Sequence, residues 1–448
     1  MIPLTLRQIA DITGGTVHGD EAIVVDAPAT LDSRAAEPGG LFLAIVGEHA
    51  DGHEFAAQSV ASGAAAVLAS REVDAPSVVV DDVAVALGKL ARHVLDELED
   101  VTVVAITGST GKTSAKDLIA HVLESDGMTV ATAGNFNNEL GVPLTVLRAD
   151  ELTRYLVVEM GARAKGDIAE LCRIAPPDVG VVLNVGHAHI GEFGSAEVIA
   201  QTKGELAEAV QEDGVVVLNA DDVLVAPMAA RTEAAIVTFG ETGDVRVSDL
   251  EVDGAGCPRF TLTHDGRSVE AYVPLIGEYN AWNAAAAVAA SIVLGVDLTT
   301  AVQRLATAGS RSPMRMEHHV RPDGVVVVND AYNANPESMA AALRAVAAIG
   351  GGRAVAVLGE MLELGADSHE AHVEVGRLAA ELGFIKIIVV GQGARGIVEG
   401  AGDVAVGVDD VDVAVHTLSA SLSGDEVVLV KASRGGRLER VADALLRG

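Results

Sequence analysis

The sequence predicts an α/β protein of three domains: a small α/β N-terminal domain, a central P-loop-type domain with a mostly parallel sheet and helices, and a C-terminal Rossmann-like doubly wound domain. Three observations carry this. A length of 448 residues corresponds to about three domains of ~150 residues. Short runs rich in Val, Ile and Leu alternate with helical segments, the pattern of buried parallel strands. One such run, Val101 to Thr107, leads into Gly108-Ser109-Thr110-Gly111-Lys112-Thr113-Ser114 and then a helical segment, Ala115 to Ser125.

Composition sets the class. Apolar residues are 49% and charged residues 21%, so a large core can be buried. Aromatics are only 3%, with one Trp, so that core is built of Val, Ala, Leu and Ile. A net charge of −33 excludes a nucleic-acid surface and leaves an anionic substrate to be met by local donors. Cys172 and Cys257 are too few for a disulfide framework, which predicts a reducing, cytoplasmic setting. Met1 to Arg7 lacks the basic region and long apolar core of a signal peptide. The Ala-rich run Ala284 to Val296 contains Ser291 and Gly295 and falls short of ~20 residues, so it reads as a buried helix with no membrane insertion.

Residues 1–97 form the first unit. Leu4–Thr13, His53–Ser62 and Val83–Glu97 read as helices, and Leu41–Val46, Ala64–Ala69 and Ser77–Val80 as strands. Arg34, in the loop Asp32-Ser33-Arg34, suits a phosphate or carboxylate, or a plain surface ion pair. Asp51-Gly52-His53 reads as a capped turn.

Residues 98–313 form the nucleotide-binding unit. Glycines 108 and 111 let the backbone curl round a phosphate with its N–H groups pointing inward, and the helix N-terminus adds partial positive charge. Lys112 would reach the terminal phosphates and Thr113 would hold Mg²⁺. The match is to the shorter form of the loop, because the first glycine position of the longer pattern holds Ile106. After the strand Thr129–Thr132 come Asn135, Asn137 and Asn138, amides at a strand's carboxyl end, where α/β sheets bind ligands or where Asx turns form. Tyr155–Glu159 is an apolar strand ending in an acid, the placement of a metal-binding carboxylate. Val179–Gly186 runs into His187 and His189. With no Cys or third His suitably spaced, a neutral imidazole beside Mg²⁺ or Mn²⁺ fits better than zinc. Lys203 reads as a solvated helical lysine beside Glu205. Val215–Asn219 is a further strand, and residues 232–275 are β-rich. Asn280 and Asn283 share one face of the next helix's first turn, placed to read a purine edge or to serve as caps.

A boundary falls at Gly309–Pro313, and residues 314–448 form the third unit. Its strands are Gly324–Asn329, Ala354–Leu358, Lys386–Val390 and Glu426–Lys431, in a Rossmann-type sheet without a dinucleotide fingerprint.

Through nearly its whole length the sequence resembles the Mur ligases, and within them the members that act on D-Ala-D-Ala. The carrying segments are Asp32-Ser33-Arg34, Asp51-Gly52-His53, Thr107 to Thr113, Asn135 to Pro143, Glu159-Met160-Gly161, His187 to Ser195, Lys203-Gly204-Glu205, Asp330 to Pro336 and Leu358 to Gly365. Tyr279 departs from the histidine usual there. The resemblance implies that ATP phosphorylates the carboxylate of UDP-MurNAc-tripeptide and that the amine of D-Ala-D-Ala attacks the acyl phosphate. It implies Lys112, His189 and Lys203 as catalytic residues. Thr113, Glu159, His189 and Lys203 would hold Mg²⁺, two ions as the resemblance implies, with Lys203 carbamylated. Asn280, Asn283, Arg315 and Asp330 join the loop in binding nucleotide. Ser33, Arg34, Asn137, Asn138, Asn333, Asn335, Lys431, Ser433 and Arg434 fall to the other substrates. It further implies a monomer whose third domain closes over ATP. The rivals are another Mur ligase, a folylpolyglutamate synthase, which begins near the P-loop, and a nucleotide switch that ligates nothing.

Overall fold

The computed structural model describes residues 1–47, 50–186, 193 and 195–447. Each of three sheets carries helices. The first has five strands in the order Thr16–His18, Ser77–Val79, Ala66–Ala69, Leu41–Ala44 and Ala29–Thr30, all parallel except the antiparallel first. Leu41–Ala44 and Ala66–Ala69 are buried at every position, as central parallel strands are. The expected helix from His53 divides in two: Asp51 accepts from the His53 N–H and starts a 3₁₀ turn, Gly52–Phe55, before the helix Ala56–Ser62. The expected helix Val83–Glu97 has those bounds, with Asp82 accepting from the Val85 N–H as its cap.

The central sheet has nine strands. Thr102–Thr107 lies between Val179–Val182 and Tyr155–Glu159, and Thr129–Ala131 is the edge beyond the latter. On the other side Val215–Asn219, Ala235–Gly240 and Val245–Val252 continue in parallel. Pro258–His264 and Arg267–Tyr272 close the sheet as antiparallel hairpin strands. The helix after the phosphate loop starts at Lys112, three residues earlier than the pattern alone suggests, because Gly111 at φ +80 supplies the turn. This helix packs with Asn280–Ile292 and Leu298–Leu305 on one face of the sheet.

The other face has a different partner. Leu6, Leu90 and Val94 of the N-terminal unit share one continuous core with Val142, Leu147 and Leu171. The first two units are therefore welded by apolar burial.

The third sheet runs Glu317–Val320, Val326–Asn329, Val427–Lys431, Ala354–Leu358, Lys386–Val390 and Ala405–Val408, parallel except for the first. Its first and last strands lie outside the sequence-based reading. Its two faces are covered by separate cores, and Ile276 from the central unit enters one of them. Among the described residues no helix is long and apolar enough to cross a membrane. Cys172 and Cys257 are free and buried.

Candidate active site

The carboxyl ends of the central strands open into a cleft of about 1010 Å³ between the second and third units. Gly108 through Ser114 form its floor. Asn184, at the end of the Val179–Val182 strand, holds the loop in shape: its Oδ1 accepts from Ser109 N at 3.0 Å and Thr110 N at 2.9 Å, and its Nδ2 donates to Thr110 O at 3.0 Å. Lys112 Nζ donates to Gly108 O at 2.8 Å, folded back along the loop. Burial, with the Arg315 charge adding to it, lowers the Lys112 ammonium below its ordinary value, against the opposing pull of Glu159.

Thr113 stands where three elements meet. Its hydroxyl donates to Glu159 Oε2 at 2.8 Å and accepts from Arg315 Nη2 at 3.2 Å. Asn137 Nδ2 donates to the other carboxylate oxygen, Oε1, at 2.7 Å. Glu159 is 1% exposed, so these donors are what permit a buried charge at the end of an apolar strand. The hydroxyl and the carboxylate are hard oxygen donors side by side, a set that fits Mg²⁺.

Lys203 corrects the plain reading of a solvated side chain. It is 6% exposed and lines the cleft. Burial, and then the charge of Lys112, push its ammonium well below the ordinary value. His189 lies outside the described residues.

The third unit supplies the opposite wall. The Arg315 guanidinium lies 4.1 Å from the centre of the Tyr332 ring and that of Arg434 lies 5.8 Å from it, both cation–π contacts. Asp330 Oδ1 accepts from Met316 N at 3.0 Å, and its Oδ2 accepts from Lys431 Nζ at 2.6 Å. Lys431 also donates to Asn333 O at 2.9 Å. Arg434 Nη1 lies 3.0 Å from Met314 Sδ.

Several expected ligands have structural tasks instead of, or besides, free ends. Asn335 caps the helix Pro336–Gly350, its Oδ1 accepting from Ser338 N at 2.8 Å. Asn138 Oδ1 accepts from Gly141 N at 3.0 Å. Asn280 Nδ2 donates to Ile276 O at 3.0 Å and its Oδ1 accepts from Asn283 Nδ2 at 3.1 Å. That leaves the Asn283 oxygen facing Gly111. Ser433 is buried, its Oγ accepting from Leu362 N at 3.0 Å and donating to Ala334 O at 3.3 Å.

Ser33 and Arg34 lie in the first unit, outside this cleft. Ser33 is buried. Arg34 makes the surface ion pair: Nε and Nη2 donate to the two Asp32 oxygens at 2.9 and 2.8 Å, holding that carboxyl down at about 2.

Asn184, Asp117, Tyr332 and Trp282 line the cleft without having been singled out as ligands. For Asn184 a signal existed, its place at the carboxyl end of a central parallel strand.

Three family models match in order along the chain: the Mur ligase family catalytic domain over 29–95, the Mur ligase middle domain over 106–291, and the Mur ligase glutamate ligase domain over 314–434. A UDP-N-acetylmuramoyl-tripeptide–D-alanyl-D-alanine ligase of Mycobacterium tuberculosis is 46% identical over 500 aligned positions, spanning 100% of this chain and 98% of the relative. Among solved structures, MurF from Acinetobacter baumannii matches with a TM-score of 0.89 at 34% identity, covering 100% of this chain and 99% of the other. MurF ligase from Thermotoga maritima, in complex with ADP, matches at 0.80 with 31% identity, covering 94% and 97%. Models for all three units and full-length relatives agree with the strand, loop and cleft described above, and the chain belongs to the Mur ligase family.

Proposed function

We propose that this chain joins D-Ala-D-Ala to the terminal carboxylate of UDP-MurNAc-tripeptide at the expense of ATP, in the cytoplasmic assembly of peptidoglycan precursors, and that it works as a monomer. The observation that carries the reading is the meeting at Thr113. A phosphate loop, a buried carboxylate and an arginine from the third unit converge on one hydroxyl. The full-length relative named for this reaction supplies the substrate identities.

The chemistry has two displacements. A carboxylate oxygen of the tripeptide attacks the γ-phosphorus, the bond to the β–γ bridging oxygen breaks, and ADP leaves. The free amine of D-Ala-D-Ala then attacks the acyl carbon, phosphate leaves, and the amine gives up a proton to yield the amide. Both partners of the first step are anions, so cations must stand between them. The loop N–H groups, Lys112 released from Gly108 O, and Arg315 fill that need in an otherwise acidic protein. In this reading Asn280, Asn283 and Asp330 are assigned to the nucleotide. Asn137, Asn138, Asn333, Lys431 and Arg434, which line the same cleft, are assigned to the acceptor and the incoming dipeptide.

Mg²⁺ held by Thr113 and Glu159 would draw charge from the phosphoryl oxygens. We assign Lys203 a carbamate, formed by its amine nitrogen bonding to the carbon of CO₂ with loss of a proton. Carbamate formation needs the free amine, the form that burial favours here, and the product is a hard carboxylate suited to a second ion, for which the family resemblance also implies His189.

The test is phosphate release from ATP and Mg²⁺ with UDP-MurNAc-tripeptide, with and without D-Ala-D-Ala. Release that needs both, with the pentapeptide product seen by mass, is expected. Release with a single amino acid would move the chain to another Mur ligase, and release with neither would leave a nucleotide switch. The Lys203→Ala variant is expected to lose ligation and not to regain it with bicarbonate. ¹³C-bicarbonate should give a carbamate resonance in the parent protein that this variant lacks.

A further inference from the structure

The segment joining the second and third units lies along the phosphate-loop helix, Lys112–Leu123, as a strap. At the far end of that helix, Arg311 Nη1 and Nη2 donate to the two oxygens of Glu124, both at 2.6 Å. The same Nη2 donates to His121 Nδ1 at 2.8 Å. One residue on, Ser312 Oγ donates to Asp117 Oδ2 at 2.7 Å. Arg315 then reaches the helix's first turn at Thr113, 3.2 Å away. Positions 124 and 113 are about 16 Å apart along a helix, so the strap is fastened at both ends and in the middle.

Its backbone is shaped for the last contact. Met314 and Met316, on either side of Arg315, both have positive φ, 58° and 48°. That conformation is unfavourable for any side chain beyond glycine and persists only where neighbours enforce it. The enforcing contacts are present. Met314 N donates to Glu317 Oε2 and Met316 N to Asp330 Oδ1, each at 3.0 Å.

We propose that Arg311 and Ser312 are positioning residues for the ligase reaction: by clipping the strap to Glu124 and Asp117 they set the reach of Arg315 to the phosphate loop. A bidentate guanidinium–carboxylate pair fixes direction as well as distance, and the clip is made on the same helix that carries Thr113. An arm anchored only in the third unit would bring Arg315 in with whatever play that unit has. The proposal rests on the reading of Arg315 as a ligand of the nucleotide phosphates.

The experiment is a double-mutant cycle on the full chain, reading kcat/KM for ATP in the complete ligation assay, with a melting curve for each variant. Arg311→Ala is expected to lower kcat/KM by about tenfold with the KM for D-Ala-D-Ala unchanged. Arg315→Ala is expected to lower it further. Adding Arg311→Ala to Arg315→Ala should then cost nothing more, because its effect passes through the missing guanidinium. Equal losses in both backgrounds would overturn the proposal and leave a general structural role. No effect of Arg315→Ala would overturn both the reading of that residue and the clip built on it. If Arg311→Ala melts early, Glu124→Arg with Arg311→Glu keeps the test open. Restored activity in that swap supports the clip, and loss as deep as in the folded Glu124→Gln variant overturns it.

Discussion

A Cβ placed on Gly111 would stand 2.6 Å from the carboxamide oxygen of Asn283. The loop and the first turn of the Asn280–Ile292 helix are thus in contact through the space a side chain would need. Gly111 also sits at φ +80, where a side chain costs about 1–2 kcal/mol from the backbone alone. Gly111→Ala should therefore weaken ATP binding by at least about tenfold in a calorimetric titration. Binding within twofold of the parent would mean the loop relaxes freely.

The loop's shape depends on Asn184 more than on any of its own side chains. Asn184→Ala removes one acceptor shared by two N–H groups and one donor to Thr110 O. An unsatisfied backbone group costs about 1–3 kcal/mol. ATP affinity should fall by about ten- to a hundredfold with the melting temperature little changed. A large drop in melting with intact affinity would assign Asn184 to the core instead.

His121 makes stability depend on pH. Burial first, then the charges of Arg304 and Arg311, lower its pKa below 6.5, and Glu124 only partly opposes them. The partners fix the neutral tautomer with Nδ1 accepting from Arg311 and Nε2–H donating to Thr307 Oγ1 at 3.1 Å. The unfolded chain takes up the proton first as pH falls through 6.5, so this residue's contribution is present above that value and lost below it. Denaturant melts between pH 5 and 8 should show a shallower slope for His121→Gln than for the parent. Equal slopes would remove His121 from the account.

Trp282 is the chain's one tryptophan, it lines the cleft, and its indole N–H donates to Asp221 Oδ2 at 3.0 Å. Trp282 and Asn283 line the same cleft, and a purine bound beside Asn283 is expected to stack on the indole. ATP should change the intrinsic emission with a saturable dependence, and Gly111→Ala should shift that curve to higher concentration. Emission indifferent to saturating ATP would put the base elsewhere.

How far the sequence reveals this site differs from residue to residue. Gly108 to Thr113 and Glu159 are legible because their roles follow from place: a loop after an apolar strand, an acid at the end of the next one. Arg315 was accessible only through family resemblance, since nothing local sets it apart from other arginines. Asn184 stands where a ligand-binding strand end is expected, but its hold on the loop, like the Ser312–Asp117 bond, was hidden for a simpler reason. Their partners lie 74 and 195 positions away in the chain, beyond any periodicity. The third sheet repeats the lesson at the level of elements. Its core strands announce themselves as Val and Ile runs, whereas Glu317–Val320 contains two histidines and alternates between half-buried and exposed positions. An edge strand needs no apolar run, so it leaves no such mark. The plain reading of Lys203 as solvated follows from what a lysine on a helix does in most proteins, whereas here it is buried along with Ile199 and Thr202 of the same helix.

The core shared by the first and second units bears on how the chain is made. Leu90 and Val94 are translated well before Val142 and Leu171, which share their core. The N-terminal sheet is thus born with one side wet, and nascent chains halted short of residue 142 should be held by chaperones. Chains halted beyond Ala234, where that core is complete, should let go of them while the third sheet is still unmade.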